Sequence, residues 1–132
     1  MILDSSVVVA LLIGEPQAQS VARALAAADS CAIGAPTLLE TGMVIATRLK
    51  RDGRGTLNAF LADWQVDEIS FGPEHWREAL RAFGRFGKGR HPAGLNMGDC
   101  LTYAIARVAQ QPLLCLGDDF SKTDLELVAL AH

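Results

Sequence analysis

The chain has no apolar run long enough to cross a bilayer. Its longest, Val7 to Ile13, falls far short of the roughly 20 residues that a spanning helix needs. A secretory leader is lacking too, since Asp4 is the only charge before that run. Cysteine is scarce, odd in number and scattered (Cys31, Cys100, Cys115). That excludes a disulfide frame or a zinc site and fits small buried hydrophobes in a reducing compartment. A cytoplasmic protein without membrane contact is expected. There is no glycine-rich phosphate loop, no Cys-x-x-Cys and no Ser-His-Asp pattern. The net charge of −3 excludes a protein that coats nucleic acid by charge alone. Aromatic residues make up only 6% of the chain, and Trp64, Trp76, Phe83 and Phe86 read as core or subunit contacts, not base-stacking platforms.

What is present is a 132-residue chain, half of it hydrophobic, expected to form a single domain over residues 1–132 with a large core. Its charge is unevenly spread. From Gly72 to Met97, five basic residues (Arg77, Arg81, Arg85, Lys88, Arg90) face two acids, a local +3. From Asp99 onward, two basic residues face five acids, a local −3. A basic arm beside an acidic pocket suits a polyanionic substrate held next to a metal.

Short apolar strands alternate with helical stretches. Strands are expected at Met1 to Asp4, Cys31 to Gly34, Val66 to Phe71 and Leu113 to Leu116, with a further short one at Glu126 to Leu130. Helices are expected over Val7 to Ile13, from Pro16 to Ala28, from Pro36-Thr37 to the basic end at Arg51, and over Thr56 to Trp64. Two more start at Pro73 and, capped by Asn96, run from Met97 to Gln110. Gly84 to Gly94 reads as a glycine- and proline-punctuated loop. The pattern predicts parallel βα units with helices on both faces of the sheet.

Asp4, Glu40, Asp99 and the pair Asp118/Asp119 sit where strands end or helices begin. In an open α/β sheet those places share one edge, the usual ligand site. Carboxylates gathered there need a neutraliser, and a hard divalent cation is the natural one. The chemistry suggested is metal-assisted attack on a phosphate. Each acid also has a plainer reading: Asp4 as an N-cap, Thr37-x-x-Glu40 as a capping box, Asp99 in a first turn after Asn96, Asp118 or Asp119 as the cap of a turn. Capping and metal binding are compatible, because a helix start aims its first-turn side chains at the sheet edge. Ser6 is placed to steady a carboxylate or to make a plain turn. Lys88, Arg90 and His91 are candidate phosphate contacts within an otherwise ordinary surface loop.

The opening Met-Ile-Leu-Asp4-Ser-Ser6-Val, the Glu40 helix, Phe86-Gly-Lys-Gly-Arg-His-Pro-Ala-Gly-Leu-Asn96-Met-Gly-Asp99-Cys-Leu-Thr-Tyr103, and Leu114-Cys-Leu-Gly-Asp118-Asp119-Phe together resemble the VapC toxins of the PIN-domain ribonucleases. The resemblance runs the length of the chain. It implies a PIN-like three-layer α/β/α fold around a parallel sheet, a homodimer, a VapB-type antitoxin, and Mg²⁺- or Mn²⁺-dependent cleavage of RNA. By position it marks Asp4, Glu40 and Asp99 as the acidic residues, with Asp4, Asp99 and Asp119 as metal ligands. The family often places aspartates two apart before the phenylalanine, but position 117 is Gly here; Asp119 keeps its place and Asp118 is a possible substitute.

The expected reaction is hydrolysis to 5′-phosphate and 3′-hydroxyl ends, with Glu40 orienting or deprotonating the attacking water and Arg85, Lys88, Arg90 and His91 along the RNA. Two rivals stand beside it. One is a catalytically weak PIN-like module that binds RNA or antitoxin. The other is a phosphatase using Asp4, although Ser6 stands where such chemistry wants a second acid.

Overall fold

The structure, a computed structural model, describes residues 1–130. The elements in chain order are β1 (Ile2–Leu3), α1 (Ser5–Ile13), α2 (Ala18–Ala27), β2 (Cys31–Gly34), α3 (Ala35–Leu49), α4 (Arg54–Asp63), β3 (Val66–Ile69), α5 (Pro73–Phe86), α6 (Met97–Ala109) and β4 (Leu113–Leu114). The strands form one parallel sheet in the order β3-β2-β1-β4. Successive strands step outward from β1 through β2 to β3, and β4 then joins on the other side of β1. The crevice at the carboxyl ends of β1 and β4 is therefore the topological switch point, where open α/β sheets bind ligands.

Alternate strand residues face opposite layers, as the two-residue period requires. Ile2 and Leu113 enter a core with Ala82, Phe86, Leu95, Tyr103, Ile105 and Phe120, under α5 and α6. Leu3, Leu114, Cys31 and Ile33 enter the second core with Val7, Val8, Val21, Leu57 and Phe60, under α1, α2 and α4. This is the expected three-layer α/β/α arrangement, with the strands apolar because both faces are covered. α3 leaves the carboxyl edge directly after β2 and touches both α1 and α6. Among the described residues, no helix is long and apolar enough to cross a membrane.

Several boundaries differ from the sequence expectation, each for a local reason. α3 begins at Ala35 with Gly34 as its cap, so Pro36 falls in the first turn, where its missing N–H is no loss. Thr37 then lies inside the helix and its hydroxyl pairs with Thr102 on α6 at 3.1 Å. The Thr37-Glu40 capping box is therefore not formed. α5 continues through Gly84 to Phe86, because Phe86 is buried in the core; the loop starts only at Gly87. β4 stops at Leu114, since the N–H of Leu116 turns instead to Ser6 Oγ at 3.0 Å. The segment expected as a last strand makes a single parallel bridge, Leu113 to Leu127. α2 starts at Ala18, past Pro16, and α4 at Arg54, whose N–H is held by the Asp52 carboxylate at 2.8 Å.

Candidate active site

Asp4 follows β1 and caps α1, and it is almost fully buried. Its Oδ2 accepts from the Ser6 N–H at 3.2 Å and from the Ser6 hydroxyl at 2.6 Å. Ser6 Oγ in turn accepts from the Leu116 N–H, so one hydroxyl ties the acid after β1 to the chain leaving β4.

Asp99 stands in the first turn of α6 in a reciprocal capping box. Its N–H donates to Asn96 Oδ1 at 2.9 Å, and its Oδ2 accepts from the Asn96 N–H at 3.1 Å. Burial pushes its carboxyl up to about 6; the Asn96 N–H opposes that, and the charges of Asp119, Asp4 and Glu40 push it further. Three carboxylates, one after β1, one on α3 and one after β4, thus lie near enough for their charges to act on Asp99. Glu40, one turn into α3, lies against the first turn of α6 beside Gly98. Cys115 faces the same acids: burial, then Asp4, Asp119 and Asp99, push its thiol up to about 12.

Asp119 acts on both Asp99 and Cys115, whereas Asp118 does not figure among the charges acting on either. Asp118 and Asp119 are both exposed, and the Asp118 backbone carbonyl rather than its carboxylate holds the turn, accepting from the Ser121 N–H and hydroxyl at 3.2 and 2.8 Å.

Among the described residues, no three Asp, Glu, His or Cys side chains already converge on one point as a closed metal cage. The carboxylates of Asp4 and Asp99 are turned to their capping partners instead. Their donor chemistry nonetheless fits a hard cation: all are oxygens, their charges add to the burial that raises Asp99, and further coordination is left for water.

The basic residues are placed less uniformly. Lys88 and Arg90 are exposed on the loop after α5, with the Arg90 guanidinium 5.1 Å from the Phe83 ring centre. His91 Nδ1 accepts from the Ala93 N–H at 3.0 Å, and its ring packs edge-on against Phe86, which makes it a brace of the loop. Arg85 is paired with Asp124 at 3.2 Å. Asp124 also accepts from the Tyr103 hydroxyl at 2.6 Å and meets Arg107 at 2.7 Å. Burial favours protonation of Asp124, but Tyr103, Arg107 and Arg85 outweigh it and hold the carboxyl below its usual range. This latch fastens the segment after Asp119 to α5 and α6. Sequence reasoning missed it, as it missed that Cys115 borders the acids. The single tyrosine, four residues before an arginine on one helix, was the available signal for the latch.

This crevice, at the switch point of a parallel sheet and ringed by carboxylates, has the architecture of a PIN domain, and the chain belongs to that family, which matches residues 1–126. Within it, the chain belongs with the VapC ribonucleases. Ribonuclease VapC36 of Mycobacterium tuberculosis is 47% identical over 127 residues, covering 96% of this chain and 91% of its own. Ribonuclease VapC30 of the same species is 38% identical over 130 residues, covering 98% and 99%. The fold is shared with the M. tuberculosis sarcin-ricin loop cleaving toxin VapC20, at a TM-score of 0.79 and 18% identity over 96% of this chain and 97% of that one. A toxin-antitoxin complex from Klebsiella pneumoniae also shares it, at a TM-score of 0.72 and 17% identity over 96% and 95%.

Proposed function

We propose that this chain is the toxin of a type II toxin–antitoxin pair. In this reading residues 1–132 form one PIN domain that hydrolyses RNA to 5′-phosphate and 3′-hydroxyl ends with Mg²⁺ or Mn²⁺. The observation that carries the proposal is the gathering of Asp4, Glu40 and Asp119 around Asp99 at the sheet's switch point, near enough for their charges to add to the burial that pushes Asp99 up to about 6. Asp4, Asp99 and Asp119 would hold the cation. When bound, it supplies Lewis acidity toward the scissile phosphate and its attacking water.

The chain's own groups do the remaining work. Ser6 donates to Oδ2 of Asp4 and the Asn96 N–H to Oδ2 of Asp99, so each carboxylate is oriented through one oxygen and offers the other. Glu40 is the acid left to orient the attacking water and take its proton. Lys88 and Arg90 are free to meet substrate phosphates, with Arg85 and His91 shaping the loop that carries them. Because the nucleophile is water, the 2′-OH is not needed chemically, and preference for RNA rests on contacts.

A VapB-type antitoxin and a second copy of this chain are the proposed protein partners. Exposed Trp76, Leu80 and Met97 supply an apolar face for the copy.

The test is cleavage of RNA by chelator-stripped protein with and without added Mg²⁺ or Mn²⁺, with the new ends sequenced. Restoration by metal and 5′-phosphate ends are expected. Full activity in excess chelator overturns the mechanism. RNA binding without cleavage under any metal favours the binding-module reading instead.

A further inference from the structure

Gly98 lies between the Asn96 cap and Asp99, in the first turn of α6. Glycine is among the weakest helix formers. Its backbone here is ordinary helix, with none of the left-handed geometry that asks for glycine elsewhere in the chain. The reason for glycine therefore lies in what approaches it. A Cβ at this position would overlap Oε2 of Glu40 and stand 3.2 Å from its Cδ and 3.4 Å from Oε1.

The two helices have little freedom to part and make room. One turn away on each, the buried Thr37 and Thr102 hydroxyls meet across the crossing at 3.1 Å. Position 37 pairs with 102, and position 40 with 98, so a single crossing fixes both contacts. With the helices clasped, an added methyl group can be relieved only by the end of the Glu40 side chain, which is flexible. Such a shift is easy for the fold and takes the carboxylate out of the position it holds against Gly98.

We propose that Gly98 is a positioning residue: the missing side chain is the seat that holds the Glu40 carboxylate beside Asp99, where it can act on the attacking water. This rests on the nuclease reading above and adds to it a fifth position that the reaction requires. Displacing a reacting group by about 1 Å is enough to slow catalysis on the order of a hundredfold.

The experiment compares wild type, Gly98→Ala, Glu40→Ala and the double variant. It reads the melting temperature of each metal-free protein, and RNA cleavage in Mg²⁺ under single-turnover and steady-state conditions. Gly98→Ala should lower kcat by about 10- to 100-fold with KM within about twofold, and leave the melting temperature near that of wild type. In the Glu40→Ala background the same change should slow cleavage no further. There it should raise the melting temperature by about 3 °C, because the better helix former no longer meets a carboxylate. A kcat within about twofold of wild type for Gly98→Ala overturns the proposal. So does an equal loss of rate in both backgrounds, or an equal gain in melting temperature in both. Absence of metal-dependent cleavage by the wild type overturns the nuclease reading and with it any catalytic role for Gly98. The two melting-temperature gains then decide separately whether Glu40 is seated against Gly98 at all.

Discussion

At the level of single residues, the surroundings of Asp99 oppose its ionisation in the metal-free protein. Asp99 moves from an ordinary 3.8 to about 6, by burial first and by Asp119, Asp4 and Glu40 after it. A carboxyl raised on folding binds more protons in the folded chain than in the unfolded one between those two values. Stability of the metal-free protein should therefore fall as pH rises from about 4 to about 6, and the loss should persist above that window. For a partly exposed carboxylate the loss is on the order of 2 kcal/mol once solvent screening is allowed for. Asp99→Asn should flatten this dependence and raise the melting temperature at pH 7.5, while lowering RNA cleavage by at least about a hundredfold. Thermal melts across pH 4 to 8, with and without Mg²⁺, check this directly. A melting curve for Asp99→Asn that still falls with pH as the wild type does would mean that another group carries the effect.

Among the elements, the end of α5 and the loop that follows it divide their basic residues between architecture and substrate. Arg85 is already spent on Asp124, which Tyr103 and Arg107 share, so its loss should loosen the segment after Asp119 more than it weakens RNA binding. Lys88 and Arg90 carry no such carboxylate partner among the described contacts, and both are exposed. The double variant Lys88→Ala/Arg90→Ala should weaken RNA binding and reduce the slope of log affinity against log salt by about 1.4, without changing the sites cut. Filter binding at several salt concentrations measures it, and an unchanged slope would route the substrate elsewhere, past Arg48 and Arg51.

The same loop shows what a sequence can and cannot display. The element order, the parallel sheet with apolar strands, the Asn96 cap and the edge placement of Asp4 and Asp99 were legible, because each rests on local pattern and topology. Thr37 was misread as a cap because its true partner, Thr102, is 65 residues away. The helical end at Gly84 to Phe86 was hidden because burial of Phe86 outweighs the glycine at position 84. Arg85 looked like a free cation because Asp124 reaches it only through the fold.

On the scale of the whole molecule, two apolar surfaces flank the acidic crevice, and they invite different partners. Trp76, Leu80 and Met97 lie on α5 and the start of α6, on the face proposed for a second copy. Leu39, Met43 and Leu49 lie on α3, where a groove toward α4 is floored by Gly42, Gly53 and Leu57. Leu11 and Leu12 of α1 are partly buried against the same core, which leaves α3 to offer most of the accessible apolar area. An antitoxin segment laid along α1 and α3, over Leu11, Leu12, Met43 and Leu49, would run beside Glu40 and so reach the carboxylates. A guanidinium there satisfies acids bidentately and competes with the cation, so one arginine can inhibit while apolar burial supplies affinity. Met43→Glu should then weaken the complex by about 2 kcal/mol or more, since it places an unpaired charge in an apolar contact. Replacing the antitoxin arginine with alanine should instead leave a complex that still assembles but cleaves RNA once Mg²⁺ is added. Calorimetry and a cleavage assay on the two complexes separate affinity from inhibition. If the arginine-deficient complex stays inactive in Mg²⁺, inhibition comes from covering the substrate path, and the acidic crevice remains open to its ion throughout.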